Sequence, residues 1–116
     1  MQKPRLEMQA FTDGKCIIGE SRNLAAKGKM PDWQPVIKHE LRFENRAISM
    51  NRRQEYLQHD MRIDKLIRCR RQRDMSTNYL ATIEGEAYHI RRIEHPVGIM
   101  PPVMDLSLEK VKQDDT

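Results

Sequence analysis

From Trp33 to Ser49 the chain alternates in polarity residue by residue. Ile37, His39, Leu41 and Phe43 fall on one side, and Val36, Lys38, Glu40, Arg42 and Glu44 on the other. A period of two with a charged opposite face predicts a long, half-buried strand. The alternation stops at "SMNRRQEYLQHD", where Asn51 followed three positions later by Gln54 suggests a capping box, with Met50, Gln54 and Leu57 near helical spacing. One helix of two or three turns is expected there. The stretch Arg62–Asp74, "RIDKLIRCRRQRD", fits a strand better than a helix. Met61, Ile63, Lys65, Ile67, Cys69 and Arg71 would share a core face, and Arg62, Asp64, Leu66, Arg68, Arg70 and Gln72 a wet face.

"NYLATIEGEAYHIRRIEH" predicts a hairpin about Glu84-Gly85, where glycine supplies the positive φ that a two-residue turn needs. Pairing Ile83 with Glu86 sets Ala81 opposite Tyr88 and Tyr79 opposite Ile90, so that these five apolar residues share one core face. A last strand, Val103–Val111, alternates Met104, Leu106 and Leu108 against Asp105, Ser107 and Glu109. Upstream, "KCIIGES" (Lys15–Ser21) is a short strand, residues 1–14 a loose arm ending in a turn, and Arg22–Asp32 a loop with Gly28 and Pro31. Strand, loop, long strand, short helix, strand, hairpin and strand predict a mainly β protein. The expected architecture is a small antiparallel β-barrel with one short helix and long loops. Its divisions would be an arm, first strand and loop over 1–32, a barrel domain over 33–111, and a disordered tail over 112–116.

Composition changes this picture little. The chain has 116 residues, enough for one domain, with 38% hydrophobic but only 5% aromatic residues. The core must then be thin and mainly aliphatic, and support from neighbouring subunits is expected. The net charge of +4 suits nucleic-acid contact without requiring it. Cys16 and Cys69 are far apart, with no CxxC, which fits a reduced cytoplasmic protein. No run of 18 apolar residues and no signal-peptide pattern is present, so no membrane role is expected.

Candidate chemistry is sparse. His39, His59, His89 and His95 form no zinc-ligand spacing, and no nucleophile elbow or glycine-rich phosphate loop occurs. No enzyme activity, metal or cofactor is expected. Arg68, Arg70, Arg91 and Arg92 could track phosphates, but the only nearby aromatics, Tyr79 and Tyr88, belong to the expected core face.

From Trp33 to Val111, about two-thirds of the chain, the arrangement resembles the head–tail joining proteins of long-tailed bacteriophages, also called head-closure or stopper proteins. The resemblance lies in the strand ending "AIS" followed by the Tyr-containing helix "NRRQEYLQ", and in "IDKLIRCRR" with Arg68 followed by Asp74. It lies also in "ATIEGEAYHIRRI" with Gly85, Tyr88 and Ile90 as fold-defining positions, and in the terminal "MDLSLEKV". The N-terminal 30 residues depart from that pattern. The resemblance implies a structural head-completion protein of a phage or prophage: a homo-oligomeric ring in the virion neck. That ring would close the portal channel after DNA packaging and dock the tail. Its partners would be the portal-bound adaptor, a tail terminator or tail-completion protein and, non-specifically, the packaged DNA. It would be assembled in the bacterial cytoplasm and located in the virion at the head–tail interface. Contact residues would be Arg68 and Arg70 on the wet face and Val97, Ile99 and Met100 in the loop "HPVGIMPP". That loop and Arg22–Asp32 are expected to be mobile in the free protomer and ordered on assembly. Two other readings remain. One is a small basic nucleic-acid-binding β-barrel. The other is a ribosome-dependent RNase toxin, whose final strands "YHIRRIEH" resembles but whose opening helices this chain lacks.

Overall fold

A computed structural model describes residues 6–23, 25–31 and 33–112. The beginning of the expected arm (1–5), Leu24 and Asp32 of the expected loop, and residues 113–116 of the expected tail lie outside the described residues. The elements are β1 (Glu7–Met8), β2 (Gly14–Asn23), β3 (Trp33–Arg46), α1 (Met50–Leu57), β4 (Lys65–Arg70), β5 (Leu80–Ile83), β6 (Glu86–Glu94), β7 (Ile99–Met100) and β8 (Val103–Lys110). Six strands close an antiparallel barrel in the order β2-β3-β4-β8-β6-β5, and β1 and β7 form a separate two-stranded parallel pair. The protein is thus the small β-barrel with one short helix that the alternation predicts. The barrel closes through β2, so it begins at Gly14 rather than at Trp33.

The interior is aliphatic. Cys16, Ile18, Phe43, Ile67, Cys69, Ala81, Ile83, Ile90, Met104, Leu106 and Leu108 are buried together, with Tyr79 beside them and Tyr88 partly buried against them. The hairpin takes the expected register, Ile83 with Glu86 and Ala81 with Tyr88. Both turn residues have positive φ, Glu84 at 52° and Gly85 at 80°, the signature of a type I′ turn.

Three features depart from expectation. First, Ile37 is 64% exposed. The β2–β3 register shifts between Ile18, paired with His39, and Gly19, paired with Ile37, leaving Lys38 as an extra residue. Such a bulge moves every side chain beyond it to the other face. Gly19 permits this close approach: a Cβ there would lie 2.5 Å from the Val36 carbonyl oxygen.

Second, the helix is capped by Ser49, two residues before the expected Asn51. Ser49 is extended, and its Oγ accepts from the Arg52 N–H at 3.1 Å. Met50 and Leu57 face solvent, and Tyr56 is the residue that α1 buries. Third, β4 and β8 are buried on both faces. Leu66, Arg68, Asp105 and Ser107 should have been wet, yet they lie at or below 8% exposure. Residues 7–9 and α1 cover them: Gln9 accepts from Arg68, and Arg52 reaches Ser107 Oγ at 3.5 Å.

Beyond Gly19 and Ile37, β2 and β3 pair only with each other, out to Asn23 and Trp33. This hairpin projects from the barrel as an arm. The molecule measures 66 × 29 × 22 Å. Its radius of gyration is 16.5 Å, against about 13 Å for a compact chain of this length.

Candidate contact surfaces

Arg68 lies on the outer side of β4, but it is not a free contact. Its Nε and Nη2 donate to the two Asp105 carboxylate oxygens at 2.8 and 3.1 Å, and Nη1 donates to Gln9 Oε1 at 3.3 Å. The hydrogen bond to Asp105 raises the Arg68 pKa above the ordinary arginine value, outweighing burial, with the charges of Asp105, Glu7 and Glu44 adding to it. Gln9 also donates to Glu44 and so straps the N-terminal segment across β3 and β4. The expectation that Arg68 meets a neighbouring subunit is therefore replaced by a bidentate pair within the protomer. The wet face survives at Arg70, which is exposed.

The loop residues divide in the same way. Val97 is 92% and Met100 42% exposed, whereas Ile99 is 9% exposed and Val103 belongs to β8. Parallel pairing of Glu7 with Ile99 and Met8 with Met100 adds Met8, 79% exposed, to the apolar surface. The backbone N–H groups of Glu7 and Gln9 donate to the carbonyls of Gly98 and Met100, both at 2.9 Å. Part of a loop expected to be irregular is therefore a short strand pair. A second apolar surface surrounds Gly19 at the root of the arm, an open groove of about 210 Å³ bordered by Ile17, Pro35, Ile37 and Leu80.

Basic residues gather around the end of β4. Lys15 is paired with Arg42 in the β2–β3 register. The next step beyond Phe43–Cys69 in the β3–β4 register sets Arg42 beside Arg70. Arg71 and Arg73 follow and line an open cleft of about 330 Å³ with Met75, Ile93 and His95. Sequence reasoning singled out Arg70 but not Arg42, because their adjacency depends on a long-range register. A third open cleft, about 400 Å³, is bordered by Asp60, Arg62, Asp64, Glu109 and Lys110. Its carboxylates accept backbone donors: Glu109 from the Arg62 N–H at 2.7 Å and Asp64 from the Lys110 N–H at 2.8 Å. They clasp the chain before β4 to the end of β8.

Among the described residues, no three His, Cys, Asp or Glu side chains come together as metal ligands. Burial pushes both cysteine thiols up to about 12, which suppresses the nucleophilic thiolate. No helix among the described residues is long and apolar enough to cross a membrane. No family model and no curated protein matches this chain.

Proposed function

We propose that the protein is a structural head-completion protein, a protomer of a ring in the neck of a tailed phage that closes the portal channel and docks the tail. The observation that carries this reading is the arm. A closed barrel has no free sheet edge within it, yet β3 continues well beyond its pairing with β4. Unpaired strand edges and exposed apolar residues (Ile37 and Met30 on the arm, Met8 and Val97 on the β1–β7 pair) are contacts that a monomer leaves open. Their position at two separate sites suits a head-to-tail interface, which closes into a ring when the rotation permits. The adaptor, the tail-completion protein and packaged DNA are the partners that follow from this reading, with the virion as its location. Native mass spectrometry and electron microscopy of the purified chain test it. Rings, and binding to a co-expressed neck or tail protein encoded beside it, are expected. A monomer at all concentrations that binds neither would overturn it.

A second reading, a small nucleic-acid-binding barrel, draws support from the arginines around the end of β4. Purification with bound nucleic acid, without ring formation, would favour it.

A further inference from the structure

We infer that the outer-face row Lys15–Arg42–Arg70, continued by Arg71 and Arg73, is a binding surface for the phosphate backbone of duplex nucleic acid. In an antiparallel sheet, directly opposed residues on one face stand about 5 Å apart, and like charges so placed repel. The β3–β4 register, extended one step beyond Phe43–Cys69, brings Arg42 and Arg70 to such positions. Both are exposed, and neither guanidinium has an acidic partner among the described residues. The carboxylates that could relieve them are committed elsewhere. Glu40 holds Lys15 at 2.9 Å, Glu44 holds Arg46 at 3.5 Å, and Asp105 holds Arg68 at 2.8 Å. Asp74 accepts from the Tyr79 hydroxyl at 2.7 Å. Among the described residues, four arginines (42, 70, 71 and 73) are thus left with guanidinium forks open to solvent, a geometry that phosphate oxygens match two at a time.

The ligand class follows from what surrounds the row. On β3 the outer-face neighbours of Arg42, Glu40 and Glu44, are charged, so the β3 part of the row has no apolar seat for a protein side chain. Phe43 and Tyr79, the aromatics nearest in sequence, are buried in the barrel and offer no stacking platform, which argues against single strands. A partner held by charge at Arg42 and Arg70 is the backbone of a duplex. The inference deepens the neck-ring reading, where packaged DNA is within reach, but its test needs no ring.

The test measures binding of the full chain to a fluorescent random-sequence 20-base-pair duplex by anisotropy across a salt series. Four phosphate contacts predict a log–log salt slope of about −3.6, so that a fourfold rise in salt weakens binding on the order of 100-fold. Arg42→Gln with Arg70→Gln should bring the slope to about −1.8. Lys27→Gln with Lys29→Gln, two exposed lysines at the arm tip, should leave it unchanged. The melting temperature of Arg70→Gln at low salt should equal or exceed that of the unaltered chain, since a repulsion is removed. Absence of duplex binding by the unaltered chain, equal slopes in the Arg42/Arg70 and Lys27/Lys29 variants, or stronger competition by polyglutamate than by duplex at equal ionic strength would each overturn the inference. Duplex binding with the expected slopes by a chain that forms no ring would uphold it and remove the neck-ring reading. Rings without duplex binding would do the reverse.

Discussion

Breaking the Arg68–Asp105 pair from one side should be among the most destabilising single changes available in this barrel. The two side chains are only 8% and 11% exposed, and the bidentate geometry satisfies both carboxylate oxygens. Asp105→Asn keeps the shape and removes the countercharge, stranding a guanidinium beneath the 7–9 segment. Loss of one partner of a buried ion pair costs about 3–5 kcal/mol. The lower figure is expected here, because Glu7 and Glu44 also act on the Arg68 charge. About 3 kcal/mol corresponds to a fall in Tm on the order of 10 °C for a domain of this size. Arg68→Met leaves the opposite orphan, a buried carboxylate without its countercharge, and should also be destabilising. The double change Arg68→Met with Asp105→Leu removes both charges. It should fall within about 1 kcal/mol of the unaltered chain, since apolar replacement of buried pairs is often neutral. Urea unfolding followed by circular dichroism reads all three. Single changes below about 1 kcal/mol, or a double change equal to the sum of the singles, would refute the assignment of Arg68 to the interior of the protomer.

Gly19→Ala should destabilise by about 2 kcal/mol, because its Cβ would stand 2.5 Å from a backbone oxygen that cannot rotate away; a loss under about 0.5 kcal/mol in urea unfolding would show that the bulge has room to spare. Acid should loosen the clasp at Glu109. Burial alone would raise its carboxyl, but hydrogen bonds from Arg91 and from the Arg62 N–H, with the Arg91 charge, hold it below the usual carboxylate value. A group with a depressed folded pKa stabilises fully above its unfolded pKa and ceases to as pH falls through the folded one. Thermal melts should therefore show a smaller acid-side decline in Glu109→Gln than in the unaltered chain, and parallel declines would refute the coupling.

The β5–β6 hairpin was fully legible in the sequence, because a two-residue turn and its flanking alternation are local and carry their own register. The same alternation misled at Ile37, where the face is set by a bulge on β3 that only Gly19, in another strand, accommodates. The burial of Asp105 and Ser107 was not legible either. Their cover comes from a strand of two residues and from a helix whose apolar spacing pointed to Met50 and Leu57 rather than Tyr56. Neither element leaves a periodic signal at β8. At the helix start, Ser49 and Asn51 are both good caps. Ser49, three residues past the end of β3 at Arg46, is the one whose extended backbone lets the chain turn into α1.

Arg68 and Arg70 show that one basic strand can hold two kinds of arginine. They are two residues apart on one face of one strand, and period-two reasoning can only treat them alike. Their fates diverge through what the β4 register places beside them. Arg68 stands between Glu44 on β3 and Asp105 on β8, beneath Gln9. Arg70 pairs with Val103, and the β3–β4 register extended one step beyond Phe43–Cys69 sets Arg42 on its other side, past the end of that cover. One position along the pairing thus exchanges two carboxylates for a like charge and an aliphatic side chain. The first arginine becomes part of the barrel's outer core, where charge is tolerated only because it is paired. The second stays in water, where charge is cheap to keep and open to a partner. A strand can therefore be basic for two unrelated reasons within three residues, and only the neighbouring strands distinguish them.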